Sequence, residues 1–179
     1  MSRIAPVLPE KAKPEVKSIY EIIQKKMGAL PNIFKNMGNS PAVLKAYLNL
    51  SEEAAHTTLS PKLREEIALA VSQANQCNYC LSAHTQISKT LGIPDQEILL
   101  ARKGEAQDPK TRAILKFVKT VVEKRGKASD DDIAVLKTAG VNDQEFTEIF
   151  LNIMVSMFTN YFNNMTDPQV DFPPAPSLN

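Results

Sequence analysis

Cysteine and histidine are scarce: Cys77, Cys80, His56 and His84 are the full complement in 179 residues. Two thiols three residues apart cannot staple distant parts of a fold, which excludes a structural disulfide framework. No run of about 18 apolar residues occurs, so no membrane-spanning helix is expected. Charge of one sign is also lacking. Lysine plus arginine number 21 against 20 acidic residues, a net +1, without the basic excess of a nucleic-acid binder. The opening Met1-Ser2-Arg3-Ile4-Ala5-Pro6 lacks the basic-then-apolar layout of a signal peptide. A cytoplasmic protein is therefore expected, with neither nucleic acid nor membrane as partner. There is no alternating strand-like run, internal repeat or interdomain linker. The fold class read from these absences is all-α, in one domain over residues 1–179, with a proline-rich tail from about residue 167.

What is present is helix after helix. Lys13-Pro14 opens a stretch in which Val16, Ile19, Tyr20, Ile23 and Met27 recur at i, i+3, i+4 spacing before Gly28. Ser40-Pro41, Ser60-Pro61 and Asp108-Pro109 each pair an N-cap with proline at the first helical position, where its missing N–H costs nothing. A short helix starts at Pro94. Ser129 caps another short helix ending at Gly140, and Asn142 with Glu145 has capping-box spacing. The last helix is apolar nearly all round, from Phe146 to Phe162. Such a helix is buried nearly all round, either as a central core helix or in an oligomer interface. Met154, Met157 and Met165 are read as core or interface. The tail, with Pro168, Pro173, Pro174 and Pro176, should lie extended on a surface or a neighbour.

Both cysteines and one histidine fall inside eight residues. If Cys77 to Leu91 is one helix, Cys77 and Cys80 differ by about 60° and Cys80 and His84 by about 40°, so all three share a face. A free thiol with a pKa near 8.5 is mostly protonated at neutral pH, whereas a helix N-terminus and a nearby imidazole favour the thiolate. A second thiol three residues away can resolve an oxidised sulfur as a disulfide. Peroxide reduction requires those parts. A carboxylate upstream could orient His84, and two are at hand. In a continuous helix Glu66 lies near the face of Cys77, while Glu65 is about 120° away. A break near Asn75-Gln76 removes that objection to Glu65. The competing readings are a zinc site from Cys77, Cys80, His84 and His56, or two buried small hydrophobes. Tyr79 is read as packing, and His56 as structural or exposed.

The segment Arg64-Glu65-Glu66 through Cys77-Asn78-Tyr79-Cys80-Leu81-Ser82-Ala83-His84-Thr85 closely resembles the core of the AhpD-like, carboxymuconolactone decarboxylase superfamily. Thr159-Asn160-Tyr161-Phe162-Asn163-Asn164, followed by Val170-Asp171-Phe172-Pro173, resembles its peroxidase-related branch. The resemblance implies an all-helical fold assembled as trimers or hexamers. It implies reduction of hydroperoxides with no bound cofactor, the electrons coming from an external dithiol such as a lipoyl-bearing protein. By motif position the second cysteine, Cys80, attacks the peroxide. Cys77 resolves it, and Glu65 and His84 activate the thiol. Tyr79 stands where the best-known AhpD members carry a histidine. Two other functions share the pattern: a redox-sensing or zinc-binding oligomer, and a cofactor-free decarboxylase-type enzyme in which the thiols are incidental.

Overall fold

The computed structural model describes residues 2–178, so Met1 and Asn179 of the expected domain lie outside the described residues. Those residues form a short 3-10 turn at Pro9–Lys11 and nine α-helices, with no strand. The helices are α1 Pro14–Met27, α2 Asn32–Met37, α3 Pro41–Ala55, α4 Pro61–Ala74, α5 Asn78–Thr90, α6 Asp95–Lys103, α7 Pro109–Glu123, α8 Asp130–Thr138 and α9 Asp143–Thr166.

The helix starts follow from the caps. Ser40, Ser60 and Asp108 each accept a hydrogen bond from the backbone N–H three residues on, and proline follows each of them. Ser129 with Asp132, and Asn142 with Glu145, form complete capping boxes. Each such cap satisfies backbone donors that the helix cannot, a contribution of about 1 kcal/mol. Gly28 closes α1 in the left-handed region at φ 75°, where a side chain would be strained.

Helix α2 has no counterpart in the sequence reading. Its six residues are too short for a periodic pattern. Tertiary packing holds it: the Tyr20 hydroxyl donates towards the carbonyls of Phe34 and Lys35, and the chain passes so close that a Cβ on Gly38 would lie 1.8 Å from that hydroxyl.

Helix α4 is the centre of the fold. It packs against α5, α6, α7 and α9, and Glu66 to Ser72 are buried without interruption. One apolar core surrounds it, with Ile67, Leu69, Ile98, Leu115, Leu136 and Ile153 among its members. A second cluster lies between α1, α2, α3 and the start of α5, and the two cysteines belong to it with Tyr20, Phe34, Leu44 and Tyr79.

Helix α9 resolves differently from its sequence pattern. Ile149 and Ile153 enter the core, but Phe150, Tyr161 and Met165 are 57%, 58% and 66% exposed. Its polar residues Asn152, Ser156, Thr159, Asn160 and Asn163 are the buried ones. Their i, i+4, i+7, i+8, i+11 spacing is one helical stripe, so α9 turns its polar side inward.

Candidate redox site

The site is built at the junction of α4 and α5. Helix α4 ends in a Schellman motif: Cys77 N–H donates to Ser72 C=O at 3.0 Å, and Gln76 N–H to Gln73 C=O at 3.1 Å. Gln76 occupies the left-handed position at φ 53°, at a cost of roughly 1–2 kcal/mol for a residue with a Cβ. Three side-chain amides, two from α9 and one from the junction, hold this break. The Asn164 side chain donates to Asn75 C=O at 2.8 Å, Asn75 to Asn160 Oδ1 at 3.1 Å, and Asn160 to Ser72 Oγ at 3.2 Å.

Cys77 is consequently the N-cap of α5 rather than its first helical residue. Its backbone is extended (φ −87°, ψ 93°), and its sulfur faces the Cys80 N–H at 3.3 Å. The two cysteines are joined as a disulfide across the first turn, with Cα atoms 5.3 Å apart. The two sulfurs differ in surroundings. Cys77 has no exposed surface. Cys80 is 2% exposed and lines a cavity of ≈ 80 Å³ whose walls include Ile33, Phe34, Ile87 and Phe172, together with His84, Thr159 and Asn163. The Asn163 Nδ2 donates to the Cys80 sulfur at 3.3 Å.

The break decides between the two glutamates. Past it, Glu65 reaches His84, with Oε2 2.8 Å from Nδ1 and both side chains largely buried. Burial pulls the His84 pKa down, but the charge of Glu65 and the hydrogen bond to it outweigh that, and the imidazole is held above its ordinary value. With Nδ1 committed to Glu65, Nε2 is the nitrogen left for proton exchange. Glu66 lines a separate cavity of ≈ 230 Å³ with Lys62, Glu97 and Asp108. Burial, only partly offset by Lys62, pushes its carboxyl up to about 7.

The tail closes the remaining side. Tyr79 OH donates to Asp171 Oδ1 at 2.7 Å, and the other oxygen of Asp171 accepts from Asn32 N–H at 2.8 Å. Phe172 meets Tyr79 edge-on at 5.6 Å between ring centroids. Further along, Ala175 N–H donates to Ser82 Oγ, and Arg102 to Pro176 C=O. The extended tail thus lies on the chain's own α5 surface, and Tyr79 serves as its anchor.

The sequence profile of the carboxymuconolactone decarboxylase family matches residues 41–123, which run from the start of α3 to the end of α7. Residues 41–123 of this chain thus carry a carboxymuconolactone decarboxylase family domain. No curated protein matches it. Among solved structures it is similar to a peroxidase-related protein with an AhpD core from Ralstonia eutropha JMP134, at 22% identity and a TM-score of 0.85, covering 95% of this chain and 92% of that one. It is similar to a peroxidase-related protein from Silicibacter sp. TM1040, at 25% identity and a TM-score of 0.82, with 94% and 91% covered. A third such structure is a variant of the debrominase Bmp8 in complex with 2,3,4-tribromopyrrole, at 21% identity and a TM-score of 0.81, with 96% and 94% covered.

Cys77, Cys80, His84 and Glu65, all inside the matched residues, come together at one junction. His56 does not join them. It is exposed at the C-cap of α3 and borders a different groove. Among the described residues no group of three or more His, Cys, Asp or Glu side chains is arranged to hold a metal ion. Asn160 and Asn163 lie in the segment that resembles the peroxidase-related branch, but the sequence reading gives them no role of their own. The signal that finds them is the polar stripe inside an otherwise apolar helix, because polar side chains repeated at helical spacing on such a helix face something other than solvent. No helix among the described residues is long and apolar enough to cross a membrane.

Proposed function

We propose that this protein is a thiol-dependent hydroperoxidase of the superfamily's peroxidase-related branch. The observation that carries the reading is the asymmetry of the cysteine pair. Of the two cysteines Cys80 alone borders the cavity, next to a histidine whose proton is held by a partly buried glutamate. The Cys80 thiolate attacks the terminal oxygen of ROOH, the S–O bond forms and the O–O bond breaks. The leaving alkoxide takes a proton from the His84 imidazolium and departs as ROH. The Cys77 thiol then displaces water from the Cys80 sulfenic acid, giving the disulfide. An external dithiol, of the class a lipoyl-bearing protein presents, returns both thiols. Tyr79 is tied to Asp171 and Ile33 N–H, so the proton relay in this chain runs through Glu65 and His84. The walls at Ile33, Phe34, Ile87 and Phe172 favour an organic hydroperoxide over hydrogen peroxide. The outward apolar residues Phe150, Tyr161 and Met165 support a homo-oligomer, trimer or hexamer; a solution mass equal to one 19.8 kDa chain would remove that part.

The test is a thiol count by mass spectrometry on reduced protein, before and after one equivalent of cumene hydroperoxide. Both thiols should be lost rapidly to an intramolecular Cys77–Cys80 bond. Cys80→Ser should leave Cys77 unreacted, and Cys77→Ser should stop at a trappable sulfenic acid on Cys80. Thiols that survive the oxidant in the wild-type protein refute the proposal.

A further inference from the structure

We propose that the Asn163 carboxamide is a catalytic group, one that stabilises the Cys80 thiolate through its N–H and holds the hydroperoxide through its carbonyl oxygen. The inference rests on the hydroperoxidase reading and adds to it the group that prepares both reactants.

Three observations carry it. First, the α5 terminus is aimed elsewhere: the Cys80 N–H faces the sulfur of Cys77, at 3.3 Å. The donor to the Cys80 sulfur is Asn163 Nδ2, also at 3.3 Å. A sulfur receiving a hydrogen bond in a buried setting is a better-stabilised anion once reduced. Second, Asn163 is only 4% exposed, and its Oδ1 has no hydrogen-bond partner. Buried acceptors are nearly always paired, so an orphan marks a function or a missing molecule. The unpaired buried hydroxyls of Thr85 and Ser88 belong to residues that do not line the Cys80 cavity, and the buried Glu97 Oε2 is ion-paired with Lys62. Third, the neighbouring amide on the same stripe is fully engaged: Asn160 donates to Ser72 and accepts from Asn75. Asn160 frames the junction, whereas Asn163 keeps a free acceptor beside the reactive sulfur.

The chemistry follows. Oδ1 accepts the O–H of the terminal hydroperoxide oxygen, and the same planar amide contacts the sulfur, so the attacked oxygen is brought to the nucleophile. Sulfur is oxidised and the O–O bond reduced by the same electron pair. The hydroperoxide's own proton stays on the transferred oxygen as the sulfenic O–H, still bonded to Oδ1. The alkoxide is protonated by His84. When Cys77 attacks, that O–H leaves as water with the Cys77 proton.

The experiment uses the full chain in a Cys77→Ser background, where Cys80 is the only thiol. Asn163→Leu keeps the branching of the side chain and removes both polar atoms; Asn163→Ala removes the group. The pH dependence of iodoacetamide alkylation reports the Cys80 thiolate without any peroxide. Its midpoint should rise by about one unit, which slows alkylation below the midpoint about tenfold. The rate with cumene hydroperoxide, divided by the thiolate fraction, should fall about tenfold further from lost orientation. A structural role alone would lower thermal stability and leave both readouts unchanged, and that result in folded variants overturns the proposal. Reduced, ¹⁵N-labelled protein with Asn163 intact provides a second readout. The Asn163 side-chain amide protons should titrate with Cys80, and shifts that ignore Cys80 ionisation overturn the thiolate contact. If this protein never consumes hydroperoxide while alkylation still depends on Asn163, the hydroperoxidase reading and the carbonyl's role fall, and the thiolate contact stands.

Discussion

Substituting Glu65→Gln isolates the charge behind His84. The glutamine keeps an acceptor for Nδ1–H, so ring orientation and tautomer persist, and only the negative charge is lost. The two groups are 2.8 Å apart, with side chains 16% and 22% exposed. Unit charges about 4 Å apart interact by about 4 kcal/mol at an effective dielectric of ~20. Partial exposure places the effect at the lower end of the ~1–3 pKa units that a close counter-charge produces. Burial, which opposes protonation, then acts almost alone, so the His84 midpoint should drop below its ordinary value. The imidazolium fraction at neutral pH falls with it, and the peroxide step should slow about tenfold at pH 7. A histidine whose folded pKa is raised contributes stability below its unfolded pKa and loses it as pH rises through the folded one. The variant should therefore be less stable than wild type in acid and equal to it in base. With two histidines in the chain, carbon-13 NMR of the ring Cε1–H groups follows both, His56 at the C-cap of α3 serving as a control. An unchanged His84 midpoint in the variant would refute the coupling.

Glu66→Gln tests the second buried carboxyl. Its folded pKa, raised to about 7, means stability that is present in acid is lost as pH climbs from the ordinary carboxylate range towards neutrality. The substitution should stabilise the protein above pH 7 by up to ~3 kcal/mol, less whatever the Lys62 pair contributes. Urea unfolding of both proteins at pH 5 and pH 8 measures this, and a wild-type stability that does not decline over that interval contradicts it. Asp171→Ala should loosen the tail. The side chain is exposed and accepts two hydrogen bonds, so the loss is ~1–2 kcal/mol of anchoring. Reduction of the buried disulfide by dithiothreitol should then accelerate about tenfold; an unaltered rate would mean that the tail does not limit access.

Much of this was legible in the sequence where local chemistry decides. Ser40, Ser60, Asp108, Ser129 and Asn142 announce helix starts because a cap is a contact within three residues. The shared face of Cys80 and His84 follows from helical geometry alone. Cys77 was less legible, since its exit from the helix is set by the Schellman turn at Gln76, a position where glutamine gives no warning of a left-handed backbone. The same turn decides between Glu65 and Glu66, so the choice was invisible until the break was located. Helix α2 escaped notice because Tyr20 and the tight approach at Gly38 hold it, and both are tertiary. The orientation of α9 was misleading for a further reason. Hydrophobic pattern predicts which side is buried only when nothing polar inside needs a partner, and here the junction at Asn75 does.

The two-sided character of α9 has a consequence for variation and engineering. The side that frames the redox junction is written in Asn152, Ser156, Thr159, Asn160 and Asn163, and the side turned outward in Phe150, Tyr161 and Met165. The two sets share no position. Drift or redesign on the outward set can remodel the exposed surface while leaving the junction intact, and drift on the inward set can do the reverse. A single helix therefore encodes two heritable traits that selection can tune separately, and a library randomised on one set alone would sort them.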